Sequence, residues 1–109
     1  MTRQLNEYRF GKRGFIRTGD LFRASGGPFY RGTDERGRKL LRSLARPGMY
    51  RFVSYIVNRR RGWINAFHLE RHSYETLYVT GRTFRSSTIP GVVNRPYKIR
   101  AVKRTRSDA

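Results

Sequence analysis

A chain of 109 residues with no cysteine and a formal charge of +18 is one domain's worth of sequence, without disulfides, thiolate metal ligands or a thiol nucleophile. Its 37% hydrophobic and 14% aromatic residues exclude a polar disordered polymer, and no run is apolar enough for a membrane span or for the core of a signal peptide. Twenty-five Lys and Arg stand against seven Asp and Glu, with arginine outnumbering lysine 21 to 4. This points to a polyanionic partner, because guanidinium forks onto phosphate and stacks on bases. The lack of cysteine suits a cytoplasmic setting.

Residues 1–13 read as a basic N-terminal arm, irregular, with scattered Leu5, Tyr8 and Phe10 that could pack on the body. A strand follows over residues 20–24 and breaks on Gly26, Gly27 and Pro28. Glycine permits positive φ and close backbone approach, and proline fixes φ, so this break predicts a sharp, defined loop. Phe29 and Tyr30 come next, one to re-enter the core and the other to stay near the surface. Residues 33–45, "TDERGRKLLRSLA", are the helical candidate, centred on 38–45. Thr33 would be the N-cap, Asp34 and Glu35 would suit the positive end of the helix dipole, and Leu40, Leu41 and Leu44 would share a face. The alternative is a long loop turning at residues 35–38.

Aromatic and β-branched residues in "GMYRFVSYIVN" predict a central strand over 48–57. Tyr50, Phe52, Ser54 and Ile56 fall on one face, and Arg51, Val53, Tyr55 and Val57 on the other. Residues 58–62 are the turn. "WINAFHLER" continues with Trp63, Phe67 and Leu69 opposite Ile64, Ala66 and His68, and "YETLYVTG" forms the next strand. "RPYKIRAVK" is the last strand, with Tyr97, Ile99 and Ala101 alternating with Lys98, Arg100 and Val102. Residues 103–109 read as a basic C-terminal tail. The expected fold is therefore mostly β, a small SH3-like barrel of about five strands over residues 14–102, with flexible termini, since closure removes exposed edges in a short chain.

The stretch "GDLFRASGGPFYRG", residues 19–32, resembles the KOW motif of SH3-like barrels found in transcription elongation factors and ribosomal proteins. Gly19 and Asp20 match the opening turn, Phe22 the strand, Gly27, Pro28 and Phe29 the loop, and Gly32 the closing glycine. The resemblance implies a loop that contacts nucleic acid or a protein partner. The chain departs from the pattern after Gly32, where "TDERGRK" stands in place of an apolar strand.

Three basic groups are the candidate nucleic-acid-binding residues. Arg59, Arg60 and Arg61 occupy a turn followed by Trp63, which serves either as a stacking platform or as a core residue. Arg82 and Arg85 flank Phe84 in "GRTFRSS", where basic, aromatic and hydroxyl groups interleave. Arg95, Lys98 and Arg100 form a basic run on the last strand. His68, Glu70 and His72 would share one side of a regular strand. They do not form a His-Glu-x-x-His metal motif, and no metal or cofactor is expected. The expected function is non-catalytic binding of nucleic acid, RNA or a ribonucleoprotein ahead of DNA. The alternatives are a small basic ribonuclease of toxin type, using His68 and Glu70, and an inhibitor or particle subunit that binds an acidic protein surface.

Overall fold

The computed structural model describes residues 2–102, which form twelve β-strands and no helix. They are β1 (Thr2–Leu5), β2 (Glu7–Phe10), β3 (Gly14–Arg17), β4 (Leu21–Gly26), β5 (Phe29–Thr33), β6 (Lys39–Ser43), β7 (Met49–Asn58), β8 (Arg61–His68), β9 (Ser73–Thr80), β10 (Phe84–Arg85), β11 (Val92–Asn94) and β12 (Tyr97–Ala101). The largest sheet has the order β12-β4-β7-β8-β9. One edge of the long strand β7 pairs with β8, and the other is shared by β4 near Met49 and β1 near Asn58. A second sheet has the order β10-β11-β5-β6, and β2 and β3 form a separate hairpin. All of the pairings are antiparallel, and none of the sheets closes into a barrel. The curl of the large sheet nevertheless brings its edge strands β9 and β12 near each other.

The core lies on one face of this sheet. Phe22, Tyr50, Phe52, Ile64, Ala66 and Leu77 are buried there, and Ile16 closes over them from the β2–β3 hairpin. Tyr50 packs on Phe22 at 5.4 Å, and its hydroxyl donates to the Arg46 carbonyl at 2.8 Å. Burial, and then the nearby Glu75 carboxylate, raise that hydroxyl far above the usual tyrosine range.

The face assignment predicted for β7 holds only for its first half. The register runs from Phe52 opposite Ala66 to Ser54 opposite Asn65, which leaves Val53 as a bulge. One extra residue reverses every later side chain. Tyr55 therefore faces Ile64 on the core side, while Ser54 and Ile56 stand with Asn65 and Trp63 on the outer face. The Val53 carbonyl accepts a hydrogen bond from the Thr18 hydroxyl at 2.7 Å.

The expected helix is a strand. Asp34 Oδ1 accepts the backbone N–H groups of Arg36 and Arg38 at 2.9 and 2.8 Å, and Gly37 turns the chain at φ 75°. This Asx-type turn closes the β5–β6 hairpin, and Thr33, the expected N-cap, is the last residue of β5. On β6, Leu40 pairs with Gly32 and Leu41 with Arg31, so the leucines alternate and do not gather on one face. Leu40, Leu41 and Leu44 are all exposed, Leu41 by 70%. Asp34→Ala should cost the hairpin about 1 kcal/mol. Faster amide exchange at Arg36 and Arg38, with a nearly unchanged global unfolding midpoint, is the expected measurement.

The N-terminal arm is also regular. Residues 2–5 add β1 to the edge of β7, and β2 pairs with β3, placing Tyr8 4.7 Å from Tyr55. The expected C-terminal tail, residues 103–109, lies outside the described residues. In the glycine-proline break, Gly26 and Gly27 take φ values of 77° and 84°, and the Tyr97 ring lies directly over Gly27. Neither Phe29 nor Tyr30 enters the main core; both are half-buried in the second sheet.

Candidate nucleic-acid interface

The β7–β8 hairpin pairs Asn58 with Arg61, so only Arg59 and Arg60 form its loop. Arg59 has φ 57°, a left-handed conformation that costs a residue with a Cβ about 1–2 kcal/mol. Glycine or asparagine would fit that position with less strain. All three arginines are exposed, and among the described residues no carboxylate pairs with them. They border an open groove of about 720 Å³ lined by Thr2, Asn58, Arg59, Arg60, Arg61 and Trp63.

The second basic loop folds back onto this tip. The Arg61 guanidinium carbon lies 4.5 Å from the centre of the Phe84 ring. Phe84 meets Tyr78 edge-on at 5.4 Å, and Tyr78 in turn lies 5.8 Å from Trp63. The Tyr78 hydroxyl donates to the Arg82 carbonyl at 2.9 Å, which ties the loop to the sheet. Arg61, Phe84, Tyr78 and Trp63 thus form a continuous cation–aromatic ladder on the outer face of β8 and β9. Trp63 is half-buried within it, neither a core residue nor a free platform. Arg82 is exposed beside it, while Arg85, next to Phe84 on β10, alternates to the opposite face of its sheet.

The third group does not join this patch. The Arg95 Nε donates to the Gly27 carbonyl at 3.1 Å, and its guanidinium lies 5.0 Å from the Phe29 ring centre, so Arg95 buttresses the glycine-proline loop. Lys98 and Arg100 lie on β12, at the far edge of the sheet order, with Arg100 directly opposite Arg23. No protein-family model, curated protein or solved structure matches this chain.

The histidine-glutamate cluster is dispersed. β8 ends at His68, and Glu70 and His72 lie in the following turn. His68 is 1% exposed and uses both ring nitrogens. Its Nδ1 accepts the Arg71 N–H at 3.1 Å, so Nε2 carries the proton and donates to the Pro47 carbonyl at 2.8 Å. Glu75, on the core face opposite Ala66, lies 3.8 Å from Arg46 and leaves Oε2 buried without a partner. Among the described residues, no three His, Asp or Glu side chains converge on a point that could hold a metal.

Four outer-face residues lie outside the three basic groups that the sequence marks: Arg23, Arg51, Phe67 and Tyr74. Their signal is alternation. Arg23 lies between Phe22 and Ala24, and Arg51 between Tyr50 and Phe52, in strands whose other face is buried. What alternation leaves open is which strands are neighbours, and the sheet order supplies that.

Proposed function

We propose that this chain is a non-catalytic nucleic-acid-binding protein whose partner is RNA or a ribonucleoprotein, ahead of DNA. The observation that carries the reading is the meeting of two arginine loops over one aromatic ladder, Arg61 on Phe84 with Tyr78 and Trp63 behind them. Arginines at the rim would neutralise phosphates, and the exposed sides of the half-buried Trp63 and Phe84 rings would meet unpaired bases, with the buried Tyr78 as their support. The positive φ at Arg59 goes with this reading, because such strained positions concentrate at binding and switch sites, though His72 shares it at φ 53°. The likeness of residues 19–32 to the KOW motif goes with this reading. So does a kinship of the curled sheet with SH3-like barrels, which β9 and β12 would complete by pairing.

A salt titration against RNA, duplex DNA and single-stranded DNA tests it. With about six phosphates neutralised, the log–log slope on duplex DNA should be near −5. Binding insensitive to salt, or no binding to any polyanion at low salt, would refute the proposal.

One observation favours a second reading, a particle subunit that docks on an acidic protein surface. The exposed Leu40 and Leu41, between Lys39 and Arg42 on β6, and Leu44 just beyond the strand offer apolar contacts that a nucleic acid would not use. Tight binding to an acidic protein together with none to free RNA or DNA would favour it.

A further inference from the structure

On the outer face of the large sheet, Arg51, Phe67 and Tyr74 form one row across three strands, Arg51 opposite Phe67 and Phe67 opposite Tyr74. The two rings lie 5.1 Å apart, and Tyr74 is 78% exposed. Arg23, on the next strand, pairs with Met49 and so stands diagonal to Arg51. Two residues back along β8, Asn65 lies between Ser54 and Thr76. Its amide donates to the Ser54 hydroxyl at 3.3 Å and accepts from the Thr76 hydroxyl at 3.1 Å. Those two bonds fix the amide plane and leave one N–H and one carbonyl lone pair free. Two residues further back is Trp63, beside the arginine groove.

Among the described residues, no acidic side chain stands on this face. Glu75 points to the core side and Glu7 belongs to the β2–β3 hairpin, while Asp20, Asp34, Glu35 and Glu70 lie between strands. The seventh, Asp108, lies outside the described residues. The surface is therefore a row of aromatic rings and a fixed amide with cations along one side. From Trp63 to Phe67 the strand covers about 13 Å, several times the ~3.4 Å rise of one stacked nucleotide.

We infer that this face holds a single strand of nucleic acid that leaves the arginine groove and runs along β8. A base stacks on Tyr74 and Phe67, its phosphates meet Arg51 and Arg23, and Asn65 hydrogen-bonds an intervening base edge. A duplex cannot use the rings, because its bases are already stacked and paired. The inference rests on the nucleic-acid reading above and adds to it the strandedness of the ligand and a second set of residues.

Fluorescence anisotropy with labelled oligouridylate, oligothymidylate and a duplex of equal length tests it at low salt. Tyr74→Ala should weaken binding of the favoured oligonucleotide at least about five-fold, with duplex binding and the unfolding midpoint unchanged. Tyr74→Phe should restore parental affinity, and Arg51→Ala should make the single-strand salt slope shallower by about 0.7. A parent that binds polyanions while Tyr74→Ala keeps full oligonucleotide affinity, or loses duplex affinity equally, overturns this inference and leaves the wider reading standing. A parent that binds no polyanion overturns both.

Discussion

Replacing Arg59, Arg60 and Arg61 together with alanine should lower duplex DNA affinity on the order of 10²–10³-fold at 0.1 M salt, if each arginine neutralises one phosphate. The log–log slope should become shallower by about 2.7 in the same measurement. The fold should survive, because the three side chains are exposed and have no carboxylate partner among the described residues. Two further variants separate charge from shape. Lysine at all three positions keeps the charge but loses the planar fork, so the drop it causes measures bidentate and stacking contacts, including that of Arg61 with Phe84. Arg59→Gly relieves the φ of 57° and should raise stability by a few tenths to about 1 kcal/mol while lowering affinity. A variant that gains stability and loses binding would identify Arg59 as a residue kept for its ligand. Equal affinity and slope in the triple alanine variant would shift the interface to the Lys98 and Arg100 edge.

The largest stability effect should come from Gly27→Val. Two penalties coincide there. Gly27 has φ 84°, and a Cβ would lie 2.6 Å from atoms of the Tyr97 ring. The ring has little room to yield, since Tyr97 packs against the core. The glycine is pinned on its other side by the Arg95 hydrogen bond to its carbonyl. Left-handed strain of about 1–2 kcal/mol and an overpacking cost of about 1–3 kcal/mol together predict a loss near 3 kcal/mol. For a domain of this size that is a fall of on the order of 10–20 °C in Tm, readable by thermal unfolding. Gly19→Val is the matched control. Gly19 has φ 97° but open space around its Cβ position, so only the conformational cost of about 1 kcal/mol applies. Equal midpoints for the two variants would show that Tyr97 does not press on Gly27.

The sequence carried the strands more faithfully than their arrangement. "GMYRFVSYIVN" and the two strands after it were legible because runs of aromatic and β-branched residues have few other solutions. The Val53 bulge was not, since one unpaired residue leaves composition unchanged while reversing Tyr55 into the core. The helix expected over residues 38–45 failed on a competition that propensity does not decide. The Asp34 carboxylate captured two backbone N–H groups of a turn, and the leucines had no second layer to pack against. At the candidate site, the sequence marked residues 59–61 and 82–85 as separate basic loops. Their meeting depends on Tyr78, whose position two residues before Thr80 becomes informative only with the β8–β9 register. Charge alone marks Arg95 as a candidate ligand contact, and only the fold shows that its Nε–H also braces the glycine-proline loop.

The exposed leucines on β6 bear on how the molecule behaves in company. β6 is the edge of its sheet, and its free backbone groups beside Leu41 are a template for pairing with another copy. In the free protein, Lys39 and Arg42 and a net charge of +18 hold like edges apart. A polyanion that neutralises this charge also removes that repulsion. On the nucleic-acid reading proposed above, solubility and occupancy would be opposed: charge would hold isolated copies apart, and copies crowded along a long polyanion would be free to pair edge to edge.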